Sequence, residues 1–200
     1  MNRPLRQHLD EGILDRAAAL FAHRGFAKTS VQDVADAVGL SKAGLLHHFP
    51  SKDALHEAVL AQADTLGQRV LDQVRDLPFG QARDRRAVEV IVDVALAHPG
   101  LVALLLAPAT QLADEADAVH PGSTGAGSAL QAFGVDPDTT EPERLVRVVG
   151  ALSALAVLTL AAHQNAMTTV WRPFVVATCF DALGHRRPAA SRSRSDQVEA

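Results

Sequence analysis

Apolar positions recur along this 200-residue chain at helical spacing, and few stretches alternate with period two. Leu9, Ile13, Leu14, Ala17, Leu20 and Phe21 predict a helix over about 9–22, ended by Arg24-Gly25 with Gly25 as a left-handed cap. Ser30 caps a second helix, Asp33 supplies the carboxylate three residues on, and Val31, Val34, Ala35 and Val38 make its inner stripe. Gly39 closes it. Ser41 caps a third helix, in which Leu45 and Phe49 stand four apart and face inward. Pro50-Ser51 breaks the chain. Leu55, Val59, Leu66, Val70, Val74 and Leu77 then predict one long helix, stopped by Pro78-Phe79-Gly80.

The pattern continues with a helix over about 82–97, ended by His98-Pro99-Gly100. A short apolar helix over 101–107 is expected to kink at Pro108, and 109–119 reads as helical with acidic exposed positions. A weak helix covers 128–133, and two strong ones cover about 143–164 and 168–183. Residues 1–8 read as a loose basic arm, 120–127 as a glycine-rich loop, and 134–142 as a turn region. The tail from His185, rich in Arg, Ser and Pro, reads as disordered. The expected fold class is all-α. Composition agrees: alanine, leucine and valine dominate, tyrosine is absent, and 48% of residues are hydrophobic, which is ample for a core.

Net charge is −4, which alone does not suggest nucleic acid as a partner. Its distribution does. Residues 1–52 hold seven Lys and Arg against five Asp and Glu, a net of +2, which leaves −6 on the remainder. A basic head on an acidic body fits a small DNA-reading domain joined to one that does not touch DNA. Two short capped helices joined by a tight turn, with a third helix starting just beyond, have the layout of a helix-turn-helix, whose second helix enters the major groove. The expected organisation is therefore a DNA-binding domain over 1–52, a helical effector-binding and dimerisation domain over 53–184, and a tail over 185–200.

The segment 28–60 closely resembles the N-terminal domain of TetR/AcrR-family transcription regulators. The resemblance rests on Thr29-Ser30-Val31, Asp33-Val34-Ala35, Gly39-Leu40-Ser41-Lys42, Leu45, His47-His48-Phe49 and Ser51-Lys52-Asp53 with Leu55. The preceding helix, with Ala17, Leu20, Phe21 and Gly25-Phe26, fits too, so the match covers roughly residues 9–60. It implies a homodimer, a palindromic DNA operator, a C-terminal pocket for a small apolar effector, and a dimer bundle made by the last two long helices. Small residues Ala151, Ala154, Ala161 and Ala177 on those helices allow close approach. The family often carries tyrosine where this chain has Leu46, and a second aromatic where it has His47. Leu46 can touch a thymine methyl or a sugar but cannot donate to a phosphate.

Phosphate contacts fix register and base contacts set sequence preference. Lys42, at the start of the recognition helix, is placed for a phosphate or base edge, and Lys52 for the backbone beside the groove. The helix starts capped by Ser30 and Ser41 offer free amides to phosphate. His47 and His48 can donate to a phosphate. Ala43 and Gly44 are small and let the helix backbone approach the bases, and an arm carrying Arg3 and Arg6 could enter a minor groove.

Other chemistries find little support. Adjacent histidines on a helix point about 100° apart and rarely share one metal ion, and the lone Cys179 excludes a cysteine zinc site and an intrachain disulfide. Neither a metal nor a cofactor is expected: the stretch 122–127 lacks the Lys-Ser/Thr that completes a P-loop, and no Gly-x-Ser-x-Gly occurs. A reducing cytoplasm is the natural compartment. The apolar run Val148–Ala162 falls short of the roughly 20 residues of a membrane span, so a buried helix is expected and no membrane partner. For the effector pocket, polar residues in apolar surroundings are the candidates: His98, Gln111, His163 and Trp171, beside Gln164 and Asn165. The alternative is a helical small-molecule carrier or enzyme with an incidental helix-turn-helix. It lacks any acid/base pair or nucleophile constellation.

Overall fold

A computed structural model describes residues 3–110 and 125–185. All regular structure in it is helical, in the order α1 (Arg3–Arg24), α2 (Val31–Ala37), α3 (Lys42–His48), α4 (Lys52–Val74), α5 (Gln81–Ala97), α6 (Pro99–Thr110), α7 (Gly125–Ala132), α8 (Pro142–Gln164) and α9 (Thr168–Ala182). Gly25 and Gly39 end α1 and α2 with φ of +80° and +71°, a region open to glycine without strain.

Two expectations change. The loose arm over residues 1–8 is instead the opening of α1 from Arg3 onward. Its residues are mostly good helix formers, and Pro4 sits in the first turn, where its missing N–H has no intrahelical partner to lose. The kink at Pro108 does not end α6, which runs to Thr110. A proline this near a C-terminus removes one hydrogen bond from a helix already held by its apolar body. The chain turns earlier, at His98, where α5 and α6 meet at 103°. Of the stretch expected to be helical over 109–119, residues 109 and 110 end α6; the rest of it, most of the glycine-rich loop, Gln111 and the tail beyond His185 lie outside the described residues.

The core forms two clusters that share α4. The first gathers Ile13, Ala17 and Phe21 of α1, Val34, Ala35 and Leu45 of α2 and α3, and Leu55, Val59 and Leu66 of α4, together with Leu101 of α6. The second takes Val70 and Val74 of α4, Val88 and Val92 of α5, Phe133 just beyond α7, Val148 and Leu155 of α8, and Val175 and Cys179 of α9. Packing of the N-terminal unit thus reaches past residue 52 into α4 and α6. The helix α4 is a strut common to both clusters.

Buried charge is paired, as low-dielectric surroundings require. Asp84 of α5 accepts from Arg144 at 2.8 Å and pairs with His185 at 2.7 Å. Arg83 donates to the carbonyls of Ala132 and Val74 at 2.8 Å and Leu77 at 3.0 Å, tying the α4–α5 corner to the end of α7. By length and composition α8 could cross a bilayer. Here Val148, Ala151, Leu155, Thr159 and Ala162 bury one face of it in the protein. Its other face, with Val146 and Val157, is exposed.

Candidate nucleic-acid interface and effector cavity

Local chemistry builds the turn between α2 and α3. Ser30 and Asp33 form a reciprocal capping box: the Asp33 amide donates to the Ser30 hydroxyl at 3.1 Å, and the Ser30 amide donates to the Asp33 carboxylate at 2.8 Å. The Ser30 hydroxyl also donates to the Asp33 carboxylate at 2.5 Å; that bond first, and then the one from the Ser30 amide, holds the Asp33 carboxyl below the usual range, and Arg24 at 3.0 Å adds to the effect. Thr29 is buried and its hydroxyl donates to the Gly25 carbonyl at 2.8 Å. Beyond Gly39, the Leu40 amide returns to Ala35 at 2.9 Å, which sets where α3 begins.

Ser41 caps α3 by accepting from the Gly44 amide at 3.0 Å. A Cβ on Gly44 would approach the Ser41 hydroxyl to 3.2 Å, so the cap itself favours a small residue there. Leu45 is fully buried and pins the helix down. The opposite side carries Lys42, Ala43 and His47, all exposed, with Leu46 half-buried beside them. Positions 42 and 46, and 43 and 47, are one turn apart, so the four share a face. Lys42 makes no ion pair or hydrogen bond among the described residues. Ser30 and Ser41 are exposed, but their hydroxyls are engaged as caps.

Two of the nominated residues have partners inside the chain. His48 is only 12% exposed at its side chain, and its Nδ1 lies 2.7 Å from the Asp10 carboxylate, which ties α3 to α1. The Lys52 ammonium donates to the Phe26 carbonyl at 3.0 Å and sits 4.2 Å above the Phe26 ring. Phe26 in turn stacks on Phe21 and His56. Neither tie was legible in the sequence, since the partners are 38 and 26 residues away.

A cavity of about 340 Å³ opens between α4, α5, α6, α7 and α8. Its walls include Leu66, Val70, Val102, Leu130 and Leu152. Among the described lining residues only His98 and Ser153 have polar side chains, and there is no charged or aromatic residue other than His98. Of the four expected pocket residues, His98 lines it. His163 is exposed on the last turn of α8, and Trp171 packs, half-buried, against the C-terminal cluster; neither lines this cavity. Gln111 is not among the described residues. Within those residues no group of three or more His, Cys, Asp or Glu could hold a metal. Cys179 is buried, which pushes its thiol up to about 11.

Residues 13–59 match the model for "Bacterial regulatory proteins, tetR family". Over 48 residues the chain is 48% identical to the HTH-type transcriptional repressor KstR2 of Rhodococcus jostii, a match covering 24% of each chain. Over 52 residues it is 44% identical to the HTH-type transcriptional regulator RutR of Escherichia coli, covering 26% of this chain and 24% of that one. The aligned part thus spans about a quarter of the length of these curated relatives. Among solved structures, the TetR family transcriptional regulator PfmR from Thermus thermophilus superposes with a TM-score of 0.52 at 22% identity, over 88% of this chain and 96% of that one. That likeness extends the shared fold to the C-terminal helices.

Proposed function

We propose that this chain is a TetR-family regulator, a homodimeric, ligand-responsive DNA-binding repressor acting in the cytoplasm; the family model's match over residues 13–59 supports this. The observation that carries this is the outward face of α3. Lys42, Ala43 and His47 stand exposed there with Leu46 beside them, on a helix anchored by buried Leu45. Such a face offers one cation, one weak donor and small or apolar surface to a groove. His48 and Lys52 act first as ties that hold α3 and α4 against α1 and Phe26. Any phosphate contact they make is secondary to that.

The dimer forms through α8 and α9. Val146, Val157, Val170 and Phe174 on these helices are 54–69% exposed, a run of large apolar side chains that a second copy would cover. The cavity between α4 and α8 holds the effector. Filling it would change how α4 and α6 support α1, and hence the spacing of the two recognition helices.

The test is DNA affinity as a function of salt. Wild-type affinity should fall linearly with the logarithm of salt concentration, and Lys42→Ala should reduce the slope by about 1. An unchanged slope would remove Lys42 from the interface.

A further inference from the structure

The cavity wall specifies its occupant more narrowly than an effector of unknown kind. The described lining has no lysine, arginine, aspartate or glutamate, and no phenylalanine or tryptophan. An ionised ligand would lose hydration there without gaining a counter-charge from the described lining, at a cost of several kcal/mol by general experience of buried ions. A flat ligand would find no ring to stack on in the described lining beyond the single imidazole of His98. The methyl and methylene surface from Leu66, Val70, Val102, Leu130 and Leu152 suits an aliphatic or alicyclic body. At roughly 30 Å³ per water-sized unit, the cavity accommodates on the order of ten heavy atoms or more.

His98 is one of the two polar side chains in the described lining. It is half-buried at the C-cap of α5, where its amide donates to Val94 at 3.0 Å, and its ring nitrogens meet no partner among the described residues. It also lines a second cleft, with Glu11, Asp15 and Arg16 of α1. No other residue is common to the described linings of the two hollows. His98 therefore stands where the apolar cavity and the cleft against α1 adjoin. Ser153 is exposed and lines the cavity from α8.

We infer that the cavity takes an uncharged aliphatic or alicyclic molecule bearing one hydrogen-bonding group, such as an alcohol or ketone, and that His98 reads that group. This deepens the effector reading above and rests on it. Because His98 belongs to both walls, recognition of the polar group is made at the corner where α5 and α6 bear on α1.

The experiment is calorimetric titration of the full chain at pH 8 with decan-1-ol and with decanoate, which share a chain length and differ in charge. Decan-1-ol is expected to bind one per chain, and decanoate at least tenfold more weakly. His98→Leu should weaken decan-1-ol by about threefold to tenfold, the loss of one hydrogen bond. His98→Gln, which keeps a donor and an acceptor, should restore most of the affinity. His98→Asn, whose shorter amide stops well before the imidazole Nε2 position, serves if the leucine variant does not fold. Equal binding of both ligands, no binding of decan-1-ol, or unchanged affinity in the leucine or asparagine variant would overturn the inference. DNA binding is measured separately on the same preparations. Decan-1-ol binding without any affinity for DNA would leave the cavity assignment intact and remove the repressor reading, and the converse result would do the reverse.

Discussion

Gly100 rests directly on the backbone of Asp15: a Cβ at Gly100 would sit 1.8 Å from the Asp15 carbonyl oxygen. The Asp15 carboxylate also accepts from the Leu101 amide at 3.1 Å. The first turn of α6 is therefore capped by a residue of α1, 86 positions earlier in the chain. This joins the helix that lines the cavity to the helix that carries the DNA-reading unit.

Gly100→Ala should force these helices apart. The obstruction is backbone, which cannot rotate away, so a loss of about 1–3 kcal/mol is expected from overpacking. Urea unfolding of the full chain measures it. A wild-type midpoint would mean that α1 and α6 are not in contact as described.

Asp15→Ala removes the cap without adding bulk. The expected loss is about 1 kcal/mol, typical of a missing N-terminal cap. Asp15→Asn, which retains an acceptor oxygen, should lose less. Equal losses in the two variants would assign the effect to charge.

Lys42 and Lys52 should separate cleanly in stability. Lys52→Met removes the bond to the Phe26 carbonyl and the cation over its ring, lowering stability by about 1–2 kcal/mol. Lys42→Met breaks no hydrogen bond or ion pair among the described residues and should stay within about 0.5 kcal/mol of wild type. Thermal melts without DNA decide this, and a larger loss for Lys42 would reverse the assignment.

Acid should loosen the α5–α9 seam. Hydrogen bonds from Arg172, 2.6 and 2.8 Å away, hold the Asp93 carboxyl below its usual value of 3.8 despite partial burial. A carboxyl depressed in the folded state contributes stability that is present above about 3.8 and lost as pH falls through the folded value. The pair is half-exposed, so its contribution is small, about 0.2–1 kcal/mol. Asp93→Asn should lower stability at pH 7 and leave it nearly unchanged at the acid end of a pH series. A loss of the same size at both ends would contradict this role.

Cys179 should be silent in the folded protein. Burial pushes its thiol up to about 11, so almost no thiolate forms near neutral pH. A disulfide reagent at pH 8 should label it only as fast as the chain unfolds. Immediate labelling of native protein would place it elsewhere.

The parts legible in the sequence are those fixed by neighbours a few residues apart. Ser30 with Asp33, Gly39 and Ser41 with Gly44 set the whole α2–α3 turn within fifteen residues. The inward positions Val34, Ala35, Leu45, Leu55 and Val59 follow from helical spacing alone, and all are buried. What stayed hidden depends on tertiary approach. Gly100 reads as a helix stop, and nothing local says that α1 lies against it. Asp10 and Phe26 give no sign that they will engage His48 and Lys52. The cavity is walled by five helices, so a polar residue in an apolar run is a weak pointer to it. His163 shows why: it stands seven residues beyond Ala156 on α8, about 10 Å further along the axis than the cavity lining reaches.

The central claim, that α3 reads DNA as one half of a two-fold pair, is tested most directly by selecting bound DNA from a random pool with the full chain. The account predicts a palindromic site, its half-sites centred about 34–36 Å apart or a multiple of that. Failure to enrich any sequence, or enrichment of a site without two-fold symmetry, would contradict it.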